Sequence, residues 1–203
     1  MKLKKDNMKI LTKKSLDYQI RNKYIKEQER ELYEYAYTIL FEEFINIVVA
    51  FAIALFFGQL NVVICFLCSY IPLRRFSGGY HADNGITCGI VSTLLIVVLC
   101  ILNDLNIIES IESSVYIFLI ICQICIFILS PIDSVNKPLS YDQKQKYHKN
   151  SVIILLFQIL ILNFAICMNI RFLYMGISYS HIVLFFMLIV GKYKNNIKKY
   201  DIN

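Results

Sequence analysis

The chain has 203 residues, 57% hydrophobic and 18% charged, and a formal net charge of +6. That is too apolar for an ordinary soluble domain, in which about a quarter of residues are charged, and it excludes disorder; seven Gly and three Pro exclude a collagen-like or low-complexity chain. The seven Cys are odd in number and lie mostly in apolar runs behind no secretory signal, which argues against a disulfide-stapled secreted domain and leaves a multi-span membrane protein.

Residues 1–38 are polar and hold ten of the 21 Lys and Arg, with six acids. Tyr18, Ile25, Leu32 and Ile39 recur every seven residues with Ala36 beside them, while Lys23, Glu27, Arg30, Glu31 and Glu34 fall opposite. The spacing predicts an amphipathic helix at the membrane surface or against the membrane domain. An ordinary soluble amphipathic helix is the alternative, and Leu16 and Ile20 do not fit the stripe.

Apolar runs then follow at 39–57, 60–73, 88–103, 115–130, 151–169 and 178–190. A helical span needs about 20 such residues. The first, third, fourth and fifth runs reach that with their flanks, and the second and sixth are short. The expected fold is an all-α integral membrane protein of about six hydrophobic helices, or four spans plus a re-entrant hairpin. The expected organisation is an interfacial region at 1–38, a polytopic membrane domain at 39–190 and a basic tail at 191–203.

Six crossings with the N-terminus inside place 20 of the 21 Lys and Arg on the cytoplasmic side, Arg171 being the exception. The opposite loop at 104–114 carries Asp104, Glu109 and Glu112 and no basic residue. This is the asymmetry of the positive-inside rule, so both termini are expected in the cytoplasm. The basic residues then read as orientation signals near anionic lipid; no nucleic-acid partner is indicated, since no nucleic-acid-binding motif accompanies them.

One loop, 74–88, carries candidate chemistry: Arg74-Arg75-Phe76-Ser77-Gly78-Gly79-Tyr80-His81-Ala82-Asp83-Asn84-Gly85-Ile86-Thr87-Cys88. A thiol attacks as thiolate, and a neighbouring imidazole can take its proton and return it. Seven residues along one straight helix would separate His81 and Cys88 by about 10 Å, so a working pair needs a bend or a late helix start. Asp83, Asn84 and Gly85 favour a turn, and Asp83 or Asn84 is suited to cap a helix bearing Cys88 at its second turn or so. Gly78 and Gly79 would let a substrate backbone lie close or offer N–H groups to an oxyanion. The plain alternative is a Gly-Gly connector after a span, followed by a packed Cys.

The run Arg74-Arg75-Phe-Ser-Gly78-Gly79-Tyr80-His81 with Cys88 seven residues on resembles the signature of the accessory gene regulator B family (AgrB) of bacterial quorum-sensing systems. The stretch Ser130-Pro131-Ile132-Asp133-Ser134-Val135-Asn136-Lys137-Pro138 resembles that family's second motif. The resemblance implies a cysteine endopeptidase of the bacterial cell membrane, acting at the cytoplasmic face on an AgrD-type propeptide, with a homodimer as its state. It implies Cys88 as nucleophile and His81 as general base and acid. Arg74, Arg75, Gly78 and Gly79 fall on motif positions expected to support activity, and Lys137 and Pro138 match the second motif. Asp83 and Asp133 are open candidates to orient His81. No metal or organic cofactor is indicated.

Cys65-x-x-Cys68 and Cys122-x-x-Cys125 lie in apolar runs without neighbouring ligands and read as packing. His148, among Lys144, Lys146 and Lys149, reads as solvated, and His181 as an interface residue at the edge of the last span. The rival class is a small membrane transporter or export subunit without covalent catalysis.

Overall fold

In the computed structural model the described residues are 16–22, 24–79, 85–105, 113–133 and 139–200. Six long helices carry the fold: α1 (Arg30–Phe56), α2 (Leu60–Ser77), α3 (Gly85–Asp104), α4 (Ser113–Leu129), α5 (Tyr141–Cys167) and α6 (Arg171–Tyr200). Among the described residues there is no strand, only an isolated bridge between Gly78 and Ile132. The protein is an all-α, multi-pass membrane protein. Five stretches have the length and apolarity of a span: Glu27–Phe56, Leu60–Ser77, Thr87–Asp104, Tyr141–Cys167 and Arg171–Asn196.

The short helix is α4, with 17 residues, or roughly 26 Å at 1.5 Å per residue against a hydrocarbon core of about 30 Å. This reverses part of the sequence expectation. The second and sixth apolar runs, which looked short, are lengthened by polar ends. In particular α2 runs through Pro72 to Ser77, so Arg74, Arg75 and Phe76 are its last helical turn rather than a loop. Before α1, a helical stretch at 16–21 buries Leu16, and Ile25 is buried after it. Tyr18, Leu32 and Ile39 of the seven-residue stripe are exposed. Tyr37 donates from its hydroxyl to Gln19 Oε1 at 2.7 Å, and Arg30 pairs with both Asp17 and Glu27, which ties this segment to the start of α1.

The central helix is α6. Its residues Tyr174 to His181 are all buried, and it packs on α2, α4 and α5. Gly176 permits the closest approach: a Cβ there would lie 2.6 Å from Cys65 Cβ and 2.9 Å from Phe66 N of α2. Small residues serve this purpose where membrane helices must touch backbone to backbone. α3 packs chiefly on α1.

A polar chain crosses the apolar interior. Gln123 of α4 donates from Nε2 to His181 Nδ1 at 3.2 Å, His181 Nε2 meets Gln158 Oε1 of α5 at 3.0 Å, and Gln158 Nε2 donates to the Ser69 carbonyl of α2 at 2.8 Å. The last contact fixes the Gln158 amide, so its oxygen faces His181 and the imidazole carries its proton on Nε2. His181 is 0% exposed. It is not an interface residue as its place in the sequence suggested; it joins four helices, because α6 is interior along this stretch.

The helices alternate in direction. Ser77 and Ile132 meet at one end of the bundle, and Asn195 of α6 donates to the Asp133 carbonyl there. At the other end Gln59 bonds Asp104 and the Cys100 carbonyl, and Tyr116 bonds Asn163.

Candidate functional site

The end of α2 builds the first part of the site. Gly78 caps the helix with φ +72°, its N–H donating to the Arg74 carbonyl at 2.9 Å, an ending that glycine provides without a Cβ penalty. The Ile132 N–H then donates to the Ser77 carbonyl at 2.9 Å. The two stretches singled out in the sequence are therefore backbone neighbours. A Cβ on Gly78 would fall 2.1 Å from the Ile132 carbonyl oxygen. Gly79, at φ +118°, faces α6, where a Cβ would lie 3.1 Å from the Met187 carbonyl oxygen. These glycines serve a close passage of chain past chain. The Gly78 N–H is occupied by Arg74, so it is not the free oxyanion donor the sequence suggested.

Arg74 is half-buried and sets its guanidinium over the Tyr70 ring, 5.6 Å from the centroid, within cation–π range. Tyr70 in turn stacks on Phe66 at 5.2 Å. Arg75 is exposed. Cys88 is exposed too, and because α3 begins at Gly85 it stands on the first helical turn, earlier than the second turn expected from the sequence. Its thiol lies within electrostatic range of the Tyr70 hydroxyl. The structure thus brings Cys88 to the same end of the bundle as Tyr70, Arg74 and Gly79. His81, Asp83, Asn84, Lys137 and Pro138 lie outside the described residues.

Asp133 pairs with Lys144 Nζ at 2.9 Å. Burial pushes its carboxyl up, but the Lys144 ammonium, by hydrogen bond and charge, and the Leu139 backbone more than offset this and hold it below the usual carboxylate range. Nearby, Ser77 Oγ and Ser151 Oγ are 2.7 Å apart, and Ser130 Oγ donates to Ser151 Oγ at 2.9 Å. All three serines are buried. His148 is half-buried rather than solvated: Nδ1 donates to the Ser130 carbonyl at 2.7 Å, with the ring edge-on to Phe127 at 5.7 Å. The sequence reading missed Tyr70, Ser130 and Ser151 as members of this neighbourhood. Tyr70 was within reach of sequence reasoning, being one helical turn before Arg74.

The sequence pattern of accessory gene regulator B matches residues 12–191. The chain belongs to the accessory gene regulator B family. Membership ties it to the accessory gene regulator system and agrees with its membrane helices. It is also similar to two AgrB-like proteins of Clostridium perfringens, 23% identical to that of strain SM101 and 22% identical to that of strain 13. Each alignment runs over 127 residues, covering 60% of this chain and 59% of the relative. No solved structure matches the chain. Among the described residues no group of three or more His, Cys, Asp or Glu is arranged to hold a metal ion.

Proposed function

We propose that this AgrB-family chain is a membrane cysteine endopeptidase that processes an AgrD-type propeptide. The observation that carries the reading is the exposed Cys88 on the first turn of α3, at the end of the bundle where Tyr70, Arg74 and Gly79 gather. A thiol held in a membrane helix but open to an approaching peptide is placed for acyl transfer. That end of the molecule also carries Arg74, Arg75, Lys144, Lys146, Lys149, Lys192 and Lys194, which supports its facing the cytoplasm. The cytoplasm keeps the thiol reduced.

In this mechanism His81 takes the Cys88 proton and the thiolate attacks a peptide carbonyl of the propeptide. A C–S bond forms, the amide C–N bond breaks, and His81 returns the proton to the departing amine. The peptide is then held on Cys88 as a thioester. A thiol or hydroxyl within the peptide attacks that carbonyl, the C–S bond to Cys88 breaks, and the proton passes by way of His81 to the Cys88 sulfur. The product is a cyclic thiolactone or lactone. Exchange of one thioester for another is nearly neutral, and a site at the membrane edge disfavours water as the competing nucleophile. Forming the first thioester from an amide is uphill, so removal of the cleaved tail draws the sequence forward.

The test is co-expression with the short peptide encoded beside this chain, followed by mass spectrometry of the cleaved tail and the ring. Wild type is expected to yield both, and Cys88→Ala and His81→Ala neither. Processing that survives in Cys88→Ala would end the endopeptidase reading and favour export without covalent chemistry.

A further inference from the structure

We infer that the inner end of α5 is the positioning element of the site, with Ser151 and His148 as positioning residues that hold the two motif segments against each other. The inference rests on the reading of the site given above. It starts from spacing: Lys144, Tyr147, His148 and Ser151 stand at i, i+3, i+4 and i+7, one stripe along a helix. Each of the four touches a motif segment. Lys144 pairs with Asp133 at 2.9 Å. Tyr147 sets its ring edge-on to Phe76 at 5.9 Å. His148 donates to the Ser130 carbonyl and Ser151 joins Ser130 to Ser77. Two contacts reach the segment after α4, one reaches the end of α2, and Ser151 reaches both.

The stripe is built to be rigid. Ser140 and Gln143 form a reciprocal capping box that fixes the start of α5. Ser151 is 1% exposed and Ser77 0%, so their hydroxyls have no water to fall back on. A buried hydroxyl that loses its partner is costly, whereas replacing all partners together by apolar groups is nearly neutral. The Ser77–Ser151 contact lies immediately before the point where Gly78 meets Ile132 with no room for a Cβ. A shift at Ser151 therefore moves the chain that leads from α2 toward His81. None of these α5 side chains reaches the reacting sulfur in this arrangement; they act through Ser77 and Ser130.

The experiment uses the full chain in lipid nanodiscs, with propeptide turnover and hydrogen–deuterium exchange both measured. Ser151→Ala is expected to lower kcat about tenfold, the effect of one or two orphaned buried hydroxyls, with KM little changed. Exchange of amides at 77–79 and 130–133 is expected to quicken while the interior of α6 stays protected. The triple variant Ser77→Ala, Ser130→Ala, Ser151→Ala is expected to recover thermal stability but not kcat. His148→Phe is expected to repeat the exchange effect, and His148→Asn, which keeps a donor, to reverse most of it. Should Ser151→Ala fail to fold, the His148 pair decides. Unchanged exchange at 77–79 and 130–133 in the folded variants overturns the inference, as does a kcat loss that only follows the fraction of folded protein. A wild type that processes nothing while the exchange pattern appears as expected overturns the enzyme reading and with it the catalytic role of the stripe, leaving the clamp as architecture.

Discussion

The Ile132 carbonyl oxygen occupies the space where Gly78 would carry a side chain, 2.1 Å from an ideal Cβ. The obstacle is backbone, so no rotamer change relieves it. The backbone of Gly78 is at φ +72° and ψ −142°, a conformation essentially confined to glycine and costing about 1–3 kcal/mol for other residues. Gly78→Ala is therefore expected to part the two motif segments and to abolish propeptide processing, read by mass spectrometry of the cleaved tail. Gly58, in the turn between α1 and α2, also has positive φ, at +68°, but nothing within 4 Å of a Cβ. Gly58→Ala is expected to cost only about 1–2 kcal/mol of stability and to leave processing at the wild-type rate. Equal effects of the two substitutions would show that glycine conformation, and not the contact with Ile132, is what matters at Gly78.

The Asp133–Lys144 pair carries a pH signature. The Asp133 carboxyl is held below the ordinary range, which for a free aspartate is about 3.9. The pair therefore adds stability throughout the range above that value and loses it as pH falls through the lower folded value. The gain is expected to be at most about 1 kcal/mol, since both side chains are partly exposed. In 13C-labelled protein the Asp133 carboxyl is expected to titrate at lower pH in wild type than in Lys144→Met. The stability difference between wild type and Asp133→Asn is expected to vanish on acidification to pH ~3. A difference that persists there would assign the effect to the Asn195 contact on the Asp133 carbonyl or to packing.

Much of the fold was legible because membrane helices announce themselves by composition, and the clustering of Lys and Arg separated the two ends of the bundle. The length of α2 was not, because Pro72 and the polar residues after it look like a helix end, whereas α2 continues through them to Ser77. His181 was misread for a related reason: within an apolar run, sequence does not distinguish a side facing lipid from one facing Gln123 and Gln158 on other helices. At the site, Cys88 and the motif glycines were recognisable by type and spacing, but Ser77, Ser130 and Ser151 are ordinary residues whose contact exists only after three segments assemble. The stripe of Lys144, Tyr147, His148 and Ser151 was readable in principle, since the Ser140-x-x-Gln143 pattern marks where α5 begins. Its significance was not, because its partners are remote in sequence.

His181 gives the sharpest test of the interior. In His181→Leu the Gln158 oxygen and the Gln123 amide lose their partner, and both residues are buried. A buried polar group left unpaired costs about 1–3 kcal/mol, although hydrogen bonds between membrane helices measure nearer 0.6 kcal/mol on average because the separated helices find other partners. The expected loss is therefore about 1–3 kcal/mol, a lower melting temperature in detergent. His181→Gln is expected to lose less, because an amide can still donate toward Gln158 Oε1. The exchanged variant His181→Gln, Gln158→His places a donor–acceptor pair on the same two helices and is expected to recover part of what His181→Leu loses. Melting temperatures of the four proteins at matched detergent concentration separate the cases. If His181→Leu melts at or above wild type, the chain from Gln123 to Ser69 contributes nothing to stability, and the four helices are held by apolar packing around Gly176 alone.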